Sequence, residues 1–496
     1  MIGAIMSDVS IQFSNSYARL PERFFAHQNP DPVAQPELIK LNAGLAEKLD
    51  LDIAVLSSDE MANVFAGNLV PSGAEPISLA YAGHQFGGWS PQLGDGRAVL
   101  LGEVVDRDGV RRDIQLKGSG RTPFSRGGDG RAALGPVLRE YIVSEAMHAM
   151  GVPTTRALAA VKTGEEVLRE GLLPGAILTR IASSHVRVGT FEFFAARHDE
   201  DGIRTLADYV IERHYPEAKN AEQPYIALLG AVVSRQAVLV SKWFQLGFIH
   251  GVMNTDNTSV AGETIDYGPC AFMDEYHPRK VFSSIDQQSR YAFGNQASVL
   301  QWNLAQLAQC LVSIVDLDMD EAVALAQVEV DAFPEKFEAE LVTGLRAKLG
   351  LLSEQEGDLA LAFELLEAMA NDKADFTNTF RDLADAIDGD VAKVRGHFED
   401  MEAFEAWFTK WLPRVEQEDR PLAESSAAIR SVNPAVIPRN HLVEAAIRAG
   451  EDNDDFGPFN ALVDEVTRPF DTRSNDSIYI SPPRPDEIVH QTFCGT

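Results

Sequence analysis

Cysteine is scarce. Cys270, Cys310 and Cys494 are the only three in 496 residues, too few and too scattered for a disulfide scaffold or a zinc site, and they fit a reducing compartment. Long apolar runs are lacking as well: the longest, Tyr225 to Val233, is broken by Ser234, Arg235 and Gln236, short of the roughly 20 residues that cross a bilayer. Met1 to Gln12 carry Asp8 and no basic segment ahead of an apolar stretch, so no secretory signal is expected. These absences lead to the expectation of a cytoplasmic protein with no membrane partner. Basic residues are in the minority, 43 Lys and Arg against 74 Asp and Glu, for a formal net charge of −31. A field of that sign repels phosphate backbones, so nucleic acid is not an expected partner, and any phosphate ligand needs a local basic patch. With 45% apolar and 24% charged residues, collagen-like, disordered and coiled-coil readings fail and a folded, soluble protein is expected.

At about 150 residues per domain, the length suggests roughly three domains, or two lobes with an appendage. Residues 1 to about 75 are turn-rich, with a helical pattern over Pro36 to Leu49. Arg97 to Val105, a polar turn over Asp106 to Gly109, and Arg112 to Lys117 predict a hairpin in an antiparallel sheet. A glycine-rich basic loop, Gly118 to Gly130, then leads into a helical pattern over Pro136 to Met150. Further strands are expected over Thr155 to Val161 and Ala176 to Ile181, and a long helix over Tyr225 to Leu246 closed by Gly247. From 311 to 400 the chain is helical in pattern, with 22 acidic residues against 7 basic, which reads as solvated helix faces. Pro413 to Ser426 suggests a linker, followed by a tail with a helix over His441 to Ala449.

The chemistry-bearing residues follow an order along the chain: a glycine turn, a strand lysine, a helix glutamate, and a loop with Asp-Asn and a second Asp. That is the order of a protein kinase. Gly94-Asp95-Gly96-Arg97 opens a strand and would let backbone N–H groups approach phosphate oxygens. In Ile114-Gln115-Leu116-Lys117, alternation puts Ile114 and Leu116 on one face and Gln115 and Lys117 on the other; Lys117 resembles the kinase lysine that contacts ATP phosphates. Its carboxylate partner is Glu140 or Glu145, which point to different helix faces; Glu140 follows the basic loop more closely. In kinases His-Arg-Asp-x-x-x-x-Asn supplies a base and a metal-binding asparagine. Laid on His250, that pattern puts Asn257 at the metal position and Val252 where the base belongs. Valine accepts no proton, so the protein is either a non-catalytic binder or uses another base, and Asp256 is the nearest carboxylate. Asp266 in Ile265-Asp266-Tyr267-Gly268 is the second metal candidate, suited with Asn257 to Mg²⁺. Between Arg107 and Arg139, eight basic residues face three acidic ones, a local reversal of charge that suggests a bound anion. Arg180 and Arg187 could join that cluster.

The runs Tyr81-Ala82-Gly83-His84-Gln85-Phe86-Gly87, Gln115 to Arg126, His250-Gly251-Val252-Met253-Asn254-Thr255-Asp256-Asn257, Ile265 to Pro269 and Asn433-Pro434 with Ile437 to His441 resemble the selenoprotein O family, also called the YdiU family. The resemblance extends along essentially the whole chain. It implies an α+β, bilobal protein-kinase-like fold: an N-lobe over 1–190, a helical C-lobe over 191–425 and a C-terminal segment over 426–496. It implies a pseudokinase that binds ATP in an inverted orientation and transfers AMP to protein hydroxyls of Ser, Thr or Tyr, with Mg²⁺ or Mn²⁺. Carried over residue by residue, Asp256 becomes the proton acceptor, Asn257 and Asp266 metal ligands, and Lys117 a nucleotide contact braced by Glu140. Gly94, Gly96, Arg97, Asp129, Gly130, Arg180, Arg187 and Asp266 become nucleotide contacts. Cys494 matches the place of a C-terminal selenocysteine in eukaryotic relatives and is expected to have redox chemistry. Some bacterial relatives carry a cysteine after the Asp-Tyr-Gly loop; this chain has Phe282 there, and a disulfide between the two positions is not carried over. Uridylylation from UTP, γ-phosphoryl transfer and a non-catalytic nucleotide-binding scaffold are the alternatives.

Overall fold

The computed structural model describes residues 5–52 and 56–493; Cys494 lies outside them. The N-terminal part is built on an antiparallel sheet whose strands run, in spatial order, Phe25–His27, Ile77–Leu79, Ala98–Val105, Arg111–Lys117, Leu172–Ala182, Arg156–Leu168 and Glu37–Leu41. The predicted hairpin is present, with Ala98 opposite Lys117 and Val105 opposite Arg111. Its turn is held by Asp106, whose Oδ1 accepts from the N–H groups of Asp108 and Val110. Alternation divides the two central strands. Ile114, Leu116, Ile177 and Ile181 face an outer core with Leu45, Phe65 and Leu158, where truncating one leucine to alanine costs about 2–5 kcal/mol. Gln115 and Lys117, directly opposite Arg180 and Leu178, face inward.

Helix Leu134–Ala149 lies against that inner face. A single apolar core runs from its Leu138, Tyr141 and Ile142 through the long helix Pro224–Leu246 to Leu304 and Leu307 of helix Gln296–Leu311. The remainder is helical, with a second core around Phe380, Trp407 and Trp411. The tail helices Asn440–Asn453 and Gly457–Val466 pack back on Leu134–Ala149, where the Tyr141 and Phe459 rings meet edge to face with centroids 5.5 Å apart. Arg439, fully buried, fastens the tail by ion pairs to Asp274 and Asp375.

Three expectations change. Pro36 to Leu49 is not one helix: Glu37–Leu41 is a strand paired with Arg156–Leu168, and only Ala43–Lys48 is helical, capped by Asn42 accepting from Leu45 N. Sheet pairing overrides local propensity there. Pro413 to Ser426 is not a linker, since helix Met401–Glu416 runs through Pro413 and helix Leu422–Val432 follows. Arg414 pins that junction through buried pairs with Asp358 and Glu418. Helix Pro224–Leu246 is, by length and composition, apolar enough to cross a membrane, because isolated Ser and Arg residues interrupt an apolar run without lowering its average far; 61% of its most apolar window is buried inside the protein. Gly247 closes it with φ of +69°, as expected.

Candidate active site

Lys117 ends its strand with Nζ 2.5 Å from Glu140 Oε2 and 3.4 Å from Asp266 Oδ1. From the neighbouring strand, Arg180 reaches the same two acids. Its Nη2 is 2.6 Å from Glu140 Oε1 and 2.7 Å from Asp266 Oδ1, and its Nε also donates to Glu140. Gln115, opposite Arg180 in the ladder, accepts from its Nη1 at 3.3 Å. Arg187, at the start of helix Val188–Ala195, completes the cluster by donating to Asp266 Oδ2 at 2.8 Å and to the Asp256 carbonyl at 2.7 Å. Three cations thus surround two carboxylates. Glu145, the alternative partner, faces elsewhere and is bound by Arg156 and Asn42.

Burial alone would raise the pKa of Asp266, but Arg180, Arg187 and Lys117 outweigh it and hold that carboxylate well below the ordinary range. Glu140 is lowered in the same way, burial being overcome by Arg180 and Lys117. Lys117 is lowered: burial dominates, opposed by Glu140 and assisted by the positive charges of Arg180 and Arg97. Asp266 has a left-handed backbone, φ +62°, a conformation that costs a non-glycine residue about 1 kcal/mol or more. Three cations on one carboxylate outweigh that cost.

Asp256 has the opposite surroundings. It is almost fully buried in the turn Thr255–Asn257. Oδ2 accepts one hydrogen bond, from Gln85 Nε2 at 3.2 Å, and Oδ1 has no partner among the described residues. Desolvation, only partly offset by Arg187, raises its pKa to about 7. Asn257 donates Nδ2–H to the Val252 carbonyl at 3.0 Å, which leaves its amide oxygen as a donor atom for a cation. Asn257 and Asp266 together offer hard oxygen ligands that fit Mg²⁺ or Mn²⁺. No group of three or more His, Cys, Asp or Glu that could hold a metal occurs among the described residues, so such a cation would draw further ligands from phosphate and water. Val252 is buried, and His250 is structural, its Nε2 2.8 Å from the Ile265 carbonyl oxygen and its ring stacked on Trp243.

The glycine-rich segments form one packed unit beside Lys117. Gly94 has φ of +75°, and a Cβ there would fall 2.3 Å from the Phe124 ring; one at Gly96 would fall 2.9 Å from the Phe124 carbonyl oxygen. Thr122 and Ser125 donate their hydroxyls to the carbonyls of Asp95 and Gly96. Both glycines are therefore required by loop packing. Gly130 closes the loop's base, its carbonyl accepting from Gly120 N. Arg97 is half-buried, and its carbonyl accepts from Gly118 N. Asp129 is not brought into the cluster: Arg169 binds its carboxylate at 2.8 Å. Of the basic island, Arg107, Arg111 and Arg112 pair with acids of the N-terminal part. Arg121 and Arg126 keep exposed guanidinium groups with no hydrogen-bond or ion-pair partner among the described residues.

Sequence reasoning assigned no role to Asp95, Gln115, Gln85 or Glu192. Asp95 is buried, accepts from Leu79 N and Gln115 Nε2, and lies 3.9 Å from Arg187. Glu192 accepts from Thr255 Oγ1 at 2.5 Å and stands 2.6 Å from His84 Nδ1. An acid inside Phe191-Glu192-Phe193-Phe194 was the available signal, since a carboxylate in an apolar helical run needs a buried partner.

Comparison with known proteins identifies relatives of this chain. A family profile described as "Protein adenylyltransferase SelO" matches residues 7–467. A protein nucleotidyltransferase YdiU of Rhodopseudomonas palustris (strain BisB5) is 60% identical over 490 residues, 98% of this chain and 100% of the relative. Proteins with the same description from Agrobacterium fabrum and Bradyrhizobium sp. (strain ORS 278) are 57% and 59% identical, each across 98% of this chain and 100% of its own length.

Proposed function

The chain belongs to the SelO family and is a nucleotidyltransferase, and on that premise we propose that it transfers AMP from ATP to Ser, Thr or Tyr hydroxyls of protein substrates and releases pyrophosphate. The fold of this reading is a bilobal, kinase-like one, in which the sheet-rich part and the helical part hold the nucleotide between them. The observation that carries it is the pair of aspartates joined by Arg187, which donates to the carboxylate of the half-buried Asp266 and to the backbone carbonyl of the buried Asp256. Asp266 is kept ionised by three cations, while Asp256 holds or releases a proton near neutrality, as a general base requires.

In the reaction the acceptor hydroxyl gives its proton to the Asp256 carboxylate as its oxygen attacks the α-phosphorus. The bond from the α-phosphorus to the bridging oxygen breaks, and the electron pair leaves with pyrophosphate. Lys117, Arg180 and Arg187 bind and orient the β- and γ-phosphates, and in a buried site such charges stabilise the departing group strongly. Asn257 and Asp266 would hold Mg²⁺ or Mn²⁺, which when bound supplies charge neutralisation on the phosphates. A kinase would place a base beside the γ-phosphorus, and the buried Val252 supplies none. A non-catalytic scaffold gives no account of a half-satisfied Asp256. The cysteine-poor composition supports a cytoplasmic setting.

Labelled ATP tests the reading. Label from α-labelled ATP is expected on protein, with none from γ-labelled ATP and an added mass equal to AMP. Incorporation of γ-label at a rate matching or exceeding α-label overturns it. Parallel runs with labelled UTP decide the base.

A further inference from the structure

The segment Gly83–Gln85 pairs with Gly88–Ser90 as a two-stranded hairpin, Gln85 opposite Gly88. Its two turn residues, Phe86 and Gly87, have φ of +53° and +83°. Positive φ at both positions is the type I′ hairpin geometry, for which glycine, asparagine and aspartate are the usual residues. A phenylalanine there is strained, and backbone strain of this kind persists where the surroundings over-determine it.

Three consecutive hairpin residues tie down three consecutive residues of the loop carrying Asp256. His84 N donates to Thr255 Oγ1 at 2.7 Å, Gln85 Nε2 to Asp256 Oδ2 at 3.2 Å, and Phe86 N to Asn254 Oδ1 at 3.0 Å. The outer ties are themselves anchored. Thr255 and His84 share the buried Glu192, and Tyr291 OH bonds Asn254 Oδ1 at 2.6 Å. Gly83 closes over the carboxylate, since a Cβ there would fall 2.9 Å from Asp256 Oδ1. Arg187 binds the Asp256 backbone carbonyl. Gln85 hydrogen-bonds the Asp256 carboxylate through Oδ2, while Oδ1 has no partner among the described residues.

We propose that Gln85 is a positioning residue for AMP transfer, its amide holding the Asp256 carboxylate in the orientation that receives the acceptor's proton, with the Gly83–Ser90 hairpin as its rigid mount. The inference rests on the reading of Asp256 as the base. A side chain at the hairpin's end that reaches one oxygen of the base and none of the phosphate-binding cations acts on turnover and leaves nucleotide binding alone.

The test is a double-mutant cycle read by incorporation of α-labelled ATP into the chain itself and into added casein, with ATP affinity measured separately. Gln85→Ala is expected to lower kcat about tenfold with KM for ATP within twofold. Gln85→Glu keeps the size but turns the donor into a second carboxylate, and is expected to lower kcat further. In an Asp256→Asn background, Gln85→Ala is expected to have no additional effect, because its target is gone. Thermal unfolding of each variant separates these results from misfolding. The proposal is overturned if kcat is unchanged in both single variants, if KM for ATP rises in step with the loss, or if the two losses multiply in the double variant. A different result, Asp256→Asn with full activity, removes the base itself and overturns the proposed mechanism along with its positioning residue, so the two failures are told apart.

Discussion

Asp256, buried, and Asp266, half-buried, are ten residues apart in one site, yet their environments are opposite. Asp266 accepts from Arg180 and Arg187 and lies 3.4 Å from Lys117; Asp256 accepts one amide hydrogen bond and has a bare oxygen. Burial penalises the charge of both. The difference lies in how many cations each side chain meets, and it divides their chemistry: a carboxylate that stays ionised can ligate and orient, and one poised near neutrality can take a proton. Arg187 marks the boundary, spending its guanidinium on the side chain of Asp266 and only the backbone carbonyl of Asp256.

The comparison breaks most severely at Asp266. Asp266→Ala is expected to reduce α-label transfer by about 10³-fold and to abolish metal-dependent nucleotide binding, because it removes the anionic ligand proposed for the metal. Circular dichroism is expected to show an intact fold; normal metal dependence in this variant rules the residue out as a ligand. Asp256→Asn is expected to cost about 10²–10³-fold in transfer, within the usual range for a general base, while ATP binding measured by calorimetry stays unchanged. Weakened ATP binding there removes the division between the two acids. Lys117→Ala is expected to lose roughly 10²-fold through misplaced phosphates, and near-normal turnover at saturating ATP makes Lys117 a bystander.

Acidity sharpens the same contrast. Transfer is expected to rise with pH through about 7 as Asp256 loses its proton. Its raised native pKa also means that the native state binds more protons than the unfolded one between the ordinary carboxyl value of 3.8 and about 7, so this group's contribution to stability falls as pH rises across that window. Asp266, lowered in the native state, contributes stability above the ordinary carboxyl range and loses it as pH falls. Melting curves of Asp256→Asn are therefore expected to lie above those of the unmutated protein at pH 8, by on the order of 2 °C, with the gap closing toward pH 4. The smallest effect is expected from Val252→Asp. A carboxylate restored at the kinase base position is expected to give no γ-label transfer above background, since in the proposed mechanism the phosphates stay on Lys117, Arg180 and Arg187; measurable γ-transfer shows that orientation was not the barrier.

Much of this site was legible in the chain because it is written in short runs with strict periodicity. Alternation in Ile114-Gln115-Leu116-Lys117 separated the residues that face the outer core from those that face the cluster, and the pleat makes that separation unavoidable. The hairpin, the long helix and its glycine stop followed from turn chemistry and the 3.6-residue period. The choice of Glu140 over Glu145 was not decided by periodicity; it took the position of Lys117 across the sheet, with Arg156 claiming the other acid. The strand Glu37–Leu41 and the continuity of the helix through Pro413 depended on partners more than a hundred and about sixty residues away, Arg156–Leu168 and Asp358. The roles of Gln85 and Glu192 depended on contacts with residues 255 and 256 that no local pattern announces. Sequence by itself determined which residues carry acid, amide and cation, and which face of each element they occupy, because those follow from chemistry and from fixed helical and pleated periods. Tertiary structure alone decided which aspartate is surrounded by cations and which is left with one hydrogen bond, because a pKa is set by charges and solvent within a few ångströms in space, wherever those charges lie in the chain.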